Sequence, residues 1–388
     1  MIGPFGLQPK GTLSVRALPL ARALVARGHA VRVIVPPWDW PQAAGSKRLD
    51  AGVEIENIDL PAPLPGLFHL NTTRRLVRRA LDFKPDVIHC FKPKAYSGLS
   101  AWALWQLKRL GQVSAQLIID TDDWEGAGGW NDFRGQYSWA QQKLFAWQEQ
   151  WGLTHNDGVT VASRALESIV WSLGVKPEKT VYVPNGMVKA EGRSQKSGEK
   201  VLAADLWLLL YTRFFEFKVE RVIEALRRVV EQEPGAKLLV VGKGFFGEEE
   251  RLLKQAAVIG LRGAIEYAGW IDTDHLPELF ARSSVAIFPF DDTLINRAKC
   301  SVKLIDLLSA GVPVVADAVG QNTEYIRHNV TGVLAPAGDV AAMAQAVIDL
   351  WRAPDRRAAL GAAAAQDMAA RFDWARLSDR VERLYAVG

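Results

Sequence analysis

The sequence predicts an α/β protein built as two similar halves, each with a mostly parallel sheet. Three observations predict it. Apolar runs alternate with amphipathic helical stretches along the 388 residues, as repeated strand–helix–strand units do. The runs are short and rich in β-branched and aromatic residues, and so read as buried strands. A stretch at 188–200, rich in Lys, Glu, Ser and Gly and without periodicity, divides the series like a linker.

In order, Gly11 and Thr12 lead into a helix over Arg16–Arg27, stopped by Gly28, and Ala30–Val35 is the next strand. Gly3–Gly6 looks like a loop that should follow a strand, yet only Met1 and Ile2 precede it, so the first strand reads as clipped. Val53–Ile58 alternates like an edge or second-layer strand. Thr72–Phe83 is helical, Asp86–Phe91 a strand, Leu99–Leu110 a helix and Gln116–Asp120 a strand. A glycine-rich loop precedes a long helix over Ser138–Leu153 with Trp139, Trp147 and Trp151 at helical spacing, a pattern expected of packing residues, with insertion at a membrane interface as the alternative. Val159–Ala162, Leu166–Leu173 and Val181–Pro184 complete the first half. The second half repeats the alternation from Leu206, and ends in Ala-rich helices, the last over Trp374–Tyr385. A ligand belongs in the cleft between two such halves.

With 49% hydrophobic and 23% charged residues the chain is globular, neither disordered nor collagenous. The formal charge of +4 suits anionic ligands or an anionic membrane surface and does not single out nucleic acid, so no nucleic-acid partner is expected. Cys90 and Cys300 are too few for a disulfide framework. No apolar run approaches the ~20 residues of a membrane span, and a cytoplasmic location is expected.

The stretch Pro289–Asp317 organises the second half. A strand, Ser284–Pro289, ends in a loop dense in Asp, Asn, Arg and Lys. Ser301 is placed as the N-cap of a helix carrying Leu304, Ile305, Leu307 and Leu308, and Gly311 ends it before the strand Val312–Ala316. Ligands of α/β sheets bind beyond the carboxyl ends of strands, and helix N-termini attract anions, so a phosphate-bearing ligand is expected here. Arg213 and Lys218 follow the first strand of this half. They can clamp a diphosphate as a fork and a point charge, or form a solvated loop bridged through Glu216 and Glu220. Gly242-Lys243-Gly244 also follows a strand and can bring backbone N–H groups to a phosphate, or simply turn. It lacks the third glycine of a dinucleotide fingerprint, and no Gly-Lys-Ser/Thr P-loop follows Gly3–Thr12.

In the first half, Asp122 and Asp123 end a strand beside glycines and Trp124. They fit hydroxyl recognition, metal binding or base chemistry, or a helix cap and turn. His89 reads as a hydrogen-bonded core imidazole. No metal-ligand spacing is visible. Arg74, Arg75, Arg78 and Arg79 form a solvated helix face or touch anionic lipid headgroups at about 1 kcal/mol per charge, which would make the protein peripheral on the inner membrane face.

The ordered set resembles a GT-B fold glycosyltransferase of the family 4 type. Its parts are the glycine loop Gly6–Thr12, Val183-Pro-Asn-Gly186, Arg213 with Lys218, Gly242-Lys243-Gly244, Gly269-Trp270 and Asp306–Val315. The resemblance implies two Rossmann-like domains facing each other across a cleft: residues 1–187 on the acceptor side, a linker at 188–200, and a nucleotide-sugar domain over 201–370. It also implies a helix over 371–388 that crosses back to the first domain. The implied activity is transfer of a sugar, with retention, from a UDP- or GDP-type donor to a glycan, lipid-linked or small-molecule acceptor. The alternatives are a GT-B type UDP-N-acetylglucosamine epimerase and an inactive glycosyltransferase-like binding protein. No metal and no cofactor beyond the nucleotide sugar are expected.

By the same resemblance, Arg213 and Lys218 bind the donor diphosphate, Asp306 takes the ribose hydroxyls, and Ser301 and Lys303 line the phosphate site. Gly11 and Thr12 approach the donor across the cleft. The first glutamate of the family's Glu, seven residues, Glu pair falls at Ala298, so Asp291, Asp292, Asn296 or Lys299 is expected to replace it in holding the sugar. Asp122 or Asp123 stands where the family often has a histidine and is expected to contact the transferred sugar.

Overall fold

The computed structural model describes residues 1–8, 11–133, 135, 137–187 and 206–386. The expected linker at 188–200 and Lys10 lie outside the described residues. The chain forms two compact units. The first gathers the described residues up to Met187 with Ala298–Cys300 and the segment from Asp373; the second gathers 206–297 and Ser301–Phe372.

The first unit has β1 (Arg32–Val35), β2 (Lys47–Asp50), β3 (Val53–Asn57), β4 (Val87–Phe91), β5 (Gln116–Thr121), β6 (Gly158–Val161) and β7 (Thr180–Tyr182). β1, β3 and β2 form one ladder and β4 to β7 another. The link is Ile2, which bridges Ile34 of β1 and Cys90 of β4, both in parallel. Ile2 donates to the His89 carbonyl at 2.9 Å, and Phe91 donates back to the Ile2 carbonyl at 2.9 Å. The segment that reads as a clipped strand thus sits at the middle of the sheet. The antiparallel β2 was not expected: Gly52, at φ +82°, turns the chain back so that Asp50 faces Val53.

The second unit has β8 (Trp207–Tyr211), β9 (Lys237–Val241), β10 (Ile265–Gly269), β11 (Val285–Phe288), β12 (Val314–Asp317) and β13 (Val333–Ala335). All pairings are parallel in the order β10-β9-β8-β11-β12-β13. Counted within the unit this is 3-2-1-4-5-6, the Rossmann order, whose switch point lies between β8 and β11. Helices on both faces explain the runs: Leu208, Leu209 and Leu210 of β8 are all buried. The helix Val219–Gln232 gives Val222, Ile223, Leu226 and Val229 to the core at three- and four-residue spacing.

The helix Trp374–Tyr385, capped by the Asp373 carboxylate on the Ala375 N–H, belongs to the first unit and packs on the helix Ala17–Val25. Trp374, Leu377, Val381 and Leu384 line its buried face. Arg27 pairs with Asp379 and Glu382 at its rim. Tyr385 hydroxyl meets His89 Nδ1 at 2.8 Å, and His89 Nε2 meets Thr160 Oγ1 at 3.1 Å. Burial pushes the imidazole down to about 3, so it is neutral, the core histidine expected.

Thr160 in turn donates to Asp120 at 2.6 Å. Asp120 holds Arg16 through both oxygens, Nε at 2.7 Å and Nη2 at 2.6 Å, and both side chains are 2% exposed. Arg16 Nη1 also donates to the Val183 carbonyl at 2.9 Å and to Asn185 at 3.1 Å. Removing one partner of such a pair leaves a buried charge uncompensated. Asp120→Ala is expected to cost about 3–5 kcal/mol of unfolding free energy, and Arg16→Met with Asp120→Leu together clearly less than the single change; urea denaturation measures both.

Candidate active site

At the switch point of the second unit, β8 ends at Tyr211, and Thr212 and Arg213 follow it. The Arg213 guanidinium lies over two aromatic faces, 4.5 Å from the Phe245 ring centre and 5.1 Å from Trp270. Its Nε is buried and finds no hydrogen-bond acceptor among the described residues. The helix Val302–Ser309 places Lys303 and Asp306 one turn apart on the same side. Lys303 Nζ sits 3.6 Å above Tyr211 and 5.8 Å from Trp270. Burial pushes the Asp306 carboxyl up to about 6, with Lys303 pulling the other way. Burial raises the pKa of the Tyr211 phenol, Asp306 adds to the rise and Arg213 opposes it, which with Lys303 above the same ring brings all four groups to one place. Phe245 and Trp270 are 42% and 58% exposed, an open aromatic shelf beside two cations.

Other expected donor residues are occupied differently. Lys218 is exposed, and its backbone N–H, at the start of the helix Val219–Gln232, donates to Asp291 at 3.1 Å. Asp291 also binds Arg221 at 2.8 Å, and Arg221 reaches both oxygens of the fully buried Asp317 at 2.9 Å. Asn296, buried, donates to the carbonyls of Glu216 and Asp291. Asp292 pairs with Arg297 at 2.5 Å. These three side chains therefore shape the stretch 291–299, which holds a helix, Leu294–Ala298, where a loop was expected. Ala298 is fully buried, and Lys299 is partly buried. Ser301 precedes its helix but gives no side-chain cap.

The glycine loop also turns out to be internal. The Gly242 N–H donates to the Gly269 carbonyl at 2.7 Å, and the Gly244 N–H to Glu249 at 3.0 Å. Gly242, at φ +125°, would set a Cβ 1.9 Å from the Thr212 carbonyl oxygen, so the close approach of two strand ends requires glycine. With Glu248 and Glu249 folded over it, the turn presents acceptors where phosphate donors were expected; Lys243 is exposed. In the first unit Gly11 is exposed, with nothing within 4 Å of where its Cβ would stand, and Thr12 begins the short helix Thr12–Val15.

At the carboxyl ends of β4 and β5 lies a buried charge cluster. Lys92 Nζ bonds Asp123 at 2.8 Å and Asp122 at 3.2 Å, and approaches Glu125 at 3.5 Å. Lys94 Nζ bonds Glu125 at 2.7 Å, Asn131 at 3.2 Å and Tyr137 at 3.1 Å. Burial raises Asp122 to about 6 against the pull of Lys92. Lys92 and Ala95 hold φ of +53° and +49°, conformations costing on the order of 1–3 kcal/mol each for non-glycine residues. Gln148 clamps the turn by accepting from the Ala95 N–H at 2.8 Å and donating to its carbonyl at 3.0 Å.

Elsewhere on this unit, Arg74, Arg75 and Arg78 are exposed along the helix Leu67–Leu81 behind exposed Leu64, Leu67 and Leu70. Arg79 is committed to Glu56 and Asp82, and Arg75 donates to the Asp59 carbonyl. Trp139 and Trp147 are 73% and 45% exposed, so two of the three tryptophans expected to pack face solvent. Among the described residues no helix is long and apolar enough to cross a membrane.

Family comparison fits this anatomy. Residues 11–186 match the glycosyl transferase 4-like domain and residues 208–353 the glycosyl transferases group 1. The chain is a GT-B glycosyltransferase of the family 4 type. Among its relatives, the phosphatidyl-myo-inositol mannosyltransferase of Mycobacterium leprae is 27% identical over 99% of this chain and 95% of its own. Two solved structures share the fold. Sucrose-phosphate synthase from Thermosynechococcus elongatus has TM-score 0.70 and 21% identity, covering 97% of this chain and 93% of its own. Anabaena HepE in complex with UDP has TM-score 0.70 and 16% identity, covering 100% and 99%.

Sequence reasoning missed Lys92 and Lys94 in this glycosyltransferase, although the logic that selected Arg213 and Lys218, two cations just past a strand, applies equally to Lys92-Pro93-Lys94. The aromatic shelf and Arg221 left no comparable signal. Asp306 gives a test of the second unit. Its proton is held more tightly folded than unfolded, so its contribution to stability is lost as pH rises from about 4 through about 6. Asp306→Asn is expected to gain about 3 kcal/mol at pH 7.5 and close to nothing at pH 3 in thermal or urea unfolding.

Proposed function

We propose that the glycosyltransferase takes its sugar from a UDP- or GDP-type donor and retains the anomeric configuration. The observation that carries this reading is the convergence of Arg213, Lys303 and Asp306 at the carboxyl end of β8, beside the switch point. Arg213 and Lys303, with Lys218 at the neighbouring helix start, meet the donor diphosphate. As the bond from the anomeric carbon to the phosphate oxygen breaks, they neutralise the charge that gathers on the leaving group. The acceptor hydroxyl forms the new bond, and its proton passes to that phosphate oxygen. The cations do here what a divalent metal does elsewhere, so no metal is required. Asp306, as carboxylate, receives the ribose hydroxyls, and Ser301 lines the phosphate site. Asp122 and Asp123 receive hydroxyls of the transferred sugar.

The acceptor is a glycan or lipid-linked molecule. The mannosyltransferase relative, named for phosphatidyl-myo-inositol, supports the lipid-linked choice, as do Leu64, Leu67 and Leu70 exposed ahead of Arg74, Arg75 and Arg78. That face suits an anionic bilayer surface, with Arg79 left to its ion pairs.

Incubated with UDP-, GDP- and ADP-sugars in EDTA, the purified protein is expected to release nucleotide from one of the first two, and NMR of the product to show the donor's anomer. Arg213→Ala and Lys303→Ala should each lower kcat by about 10²–10³; full activity in both would refute the clamp. Replacing Arg74, Arg75 and Arg78 by Glu should abolish flotation with anionic liposomes, and unchanged flotation would leave them a solvated face.

A further inference from the structure

The buried cations at Lys92 and Lys94 have no part in the reading above, yet the backbone is bent to place them. Lys92 occupies a left-handed conformation that glycine would adopt freely, and it is a lysine. Its N–H is tied to the Asp120 carbonyl at 2.8 Å, and the turn after it is held by Gln148, which is 1% exposed. What the position keeps is the side chain.

The charges around it divide unevenly. Asp120 is committed to Arg16. Glu125 is met by Lys94. Glu149 is fully buried; one oxygen accepts from Thr121 at 2.7 Å and the other, Oε2, has no partner among the described residues. Burial and the nearby Glu125 hold its proton well above the usual carboxylate range, so it is neutral. One ammonium, Lys92, is left to Asp122 and Asp123 together, and the pair keeps one negative charge in excess.

We propose that Lys92 is a positioning residue for sugar transfer: bridging Asp122 and Asp123, it fixes both carboxylates for substrate hydroxyls. This rests on the reading that those carboxylates receive sugar hydroxyls. Lys94 does the same service for the loop that follows, through Glu125, Asn131 and Tyr137. Besides burial, the groups bearing on Asp122 are thus Lys92 and Arg16, which favour its charge, and Asp123 and Asp120, which oppose it; Glu149 interacts with it as well.

The test compares wild type, Lys92→Met and Lys92→Arg in three measurements: UDP and GDP binding by calorimetry, the pH profile of transfer, and carboxyl ¹³C NMR of aspartate-labelled protein with Asp122→Asn as assignment. Wild-type Asp122 should titrate near 6. In Lys92→Met the titration and the acid limb of kcat/KM should move up by about one pH unit or more, a tenfold lower rate on that limb. Lys92→Arg should keep both, and nucleotide binding should be the same in all three. A folded Lys92→Met whose Asp122 titration and acid limb match wild type overturns the proposal. If Lys92→Met does not fold, Lys92→Gln, uncharged but still a donor, decides by the same readouts. A wild type inert toward every donor, with the Asp122 titration still moved by Lys92→Met, would uphold the hold of Lys92 on the pair and sink the transfer reading instead.

Discussion

The first unit depends on the buried pair between Arg16 and Asp120. Two charges out of water stand only because every polar atom around them is matched: Asp120 also takes the Thr160 hydroxyl, and Arg16 also serves the Val183 carbonyl and Asn185. Through these bonds a residue between two helices reaches β5, β6 and the turn after β7. Through Thr160 and His89 the network extends to Tyr385 in the last helix. The pair makes a poor case for raw stability. What it does is fix the carboxyl end of β5, the strand that two residues later delivers Asp122.

The two units treat charge in contrasting ways. In the first, cations and carboxylates neutralise one another in a buried set, and positive φ is held at Lys92 and Ala95 to achieve it. In the second, Arg213 and Lys303 rest on the faces of Phe245, Trp270 and Tyr211, which stabilise a cation without neutralising it. Acidic residues nearby are kept occupied: Asp291 and Asp317 by Arg221, Glu248 and Glu249 by backbone N–H groups of the glycine turn. Arg213, its Nε without an acceptor among the described residues, thus brings positive charge to the end of β8, as an anion site requires.

Strands were legible because burial on both faces writes itself as apolar runs, and the last helix, Trp374–Tyr385, matches its expected bounds to the residue. Ile2 was legible as a clipped strand but not as a central one, because a strand can be central with only a residue or two of pairing. At the site, Lys303 and Asp306 were legible through the family resemblance, while helical spacing of the leucines gave only the helix that carries them. The role of Asp291 and Asn296 was not, since a polar side chain near a ligand loop reads the same whether it faces the ligand or ties down the loop. Lys92 escaped because its reach depends on a left-handed backbone that no residue type announces. Trp139 and Trp147 misled, because periodicity shows that tryptophans share a helix face but not whether anything covers it.

The last helix has a consequence for how the protein comes into being. The core of the first unit is closed by Trp374–Tyr385, residues synthesised only after the whole second unit. At typical elongation rates the stretch from β7 to that helix takes roughly 10–40 s to emerge. Throughout that interval the outer face of the helix Ala17–Val25 stands uncovered, and His89 lacks its phenol. The second unit, continuous apart from Ala298–Cys300, can fold meanwhile. The half made first is thus finished last, and its exposure during synthesis is written into the order of the chain.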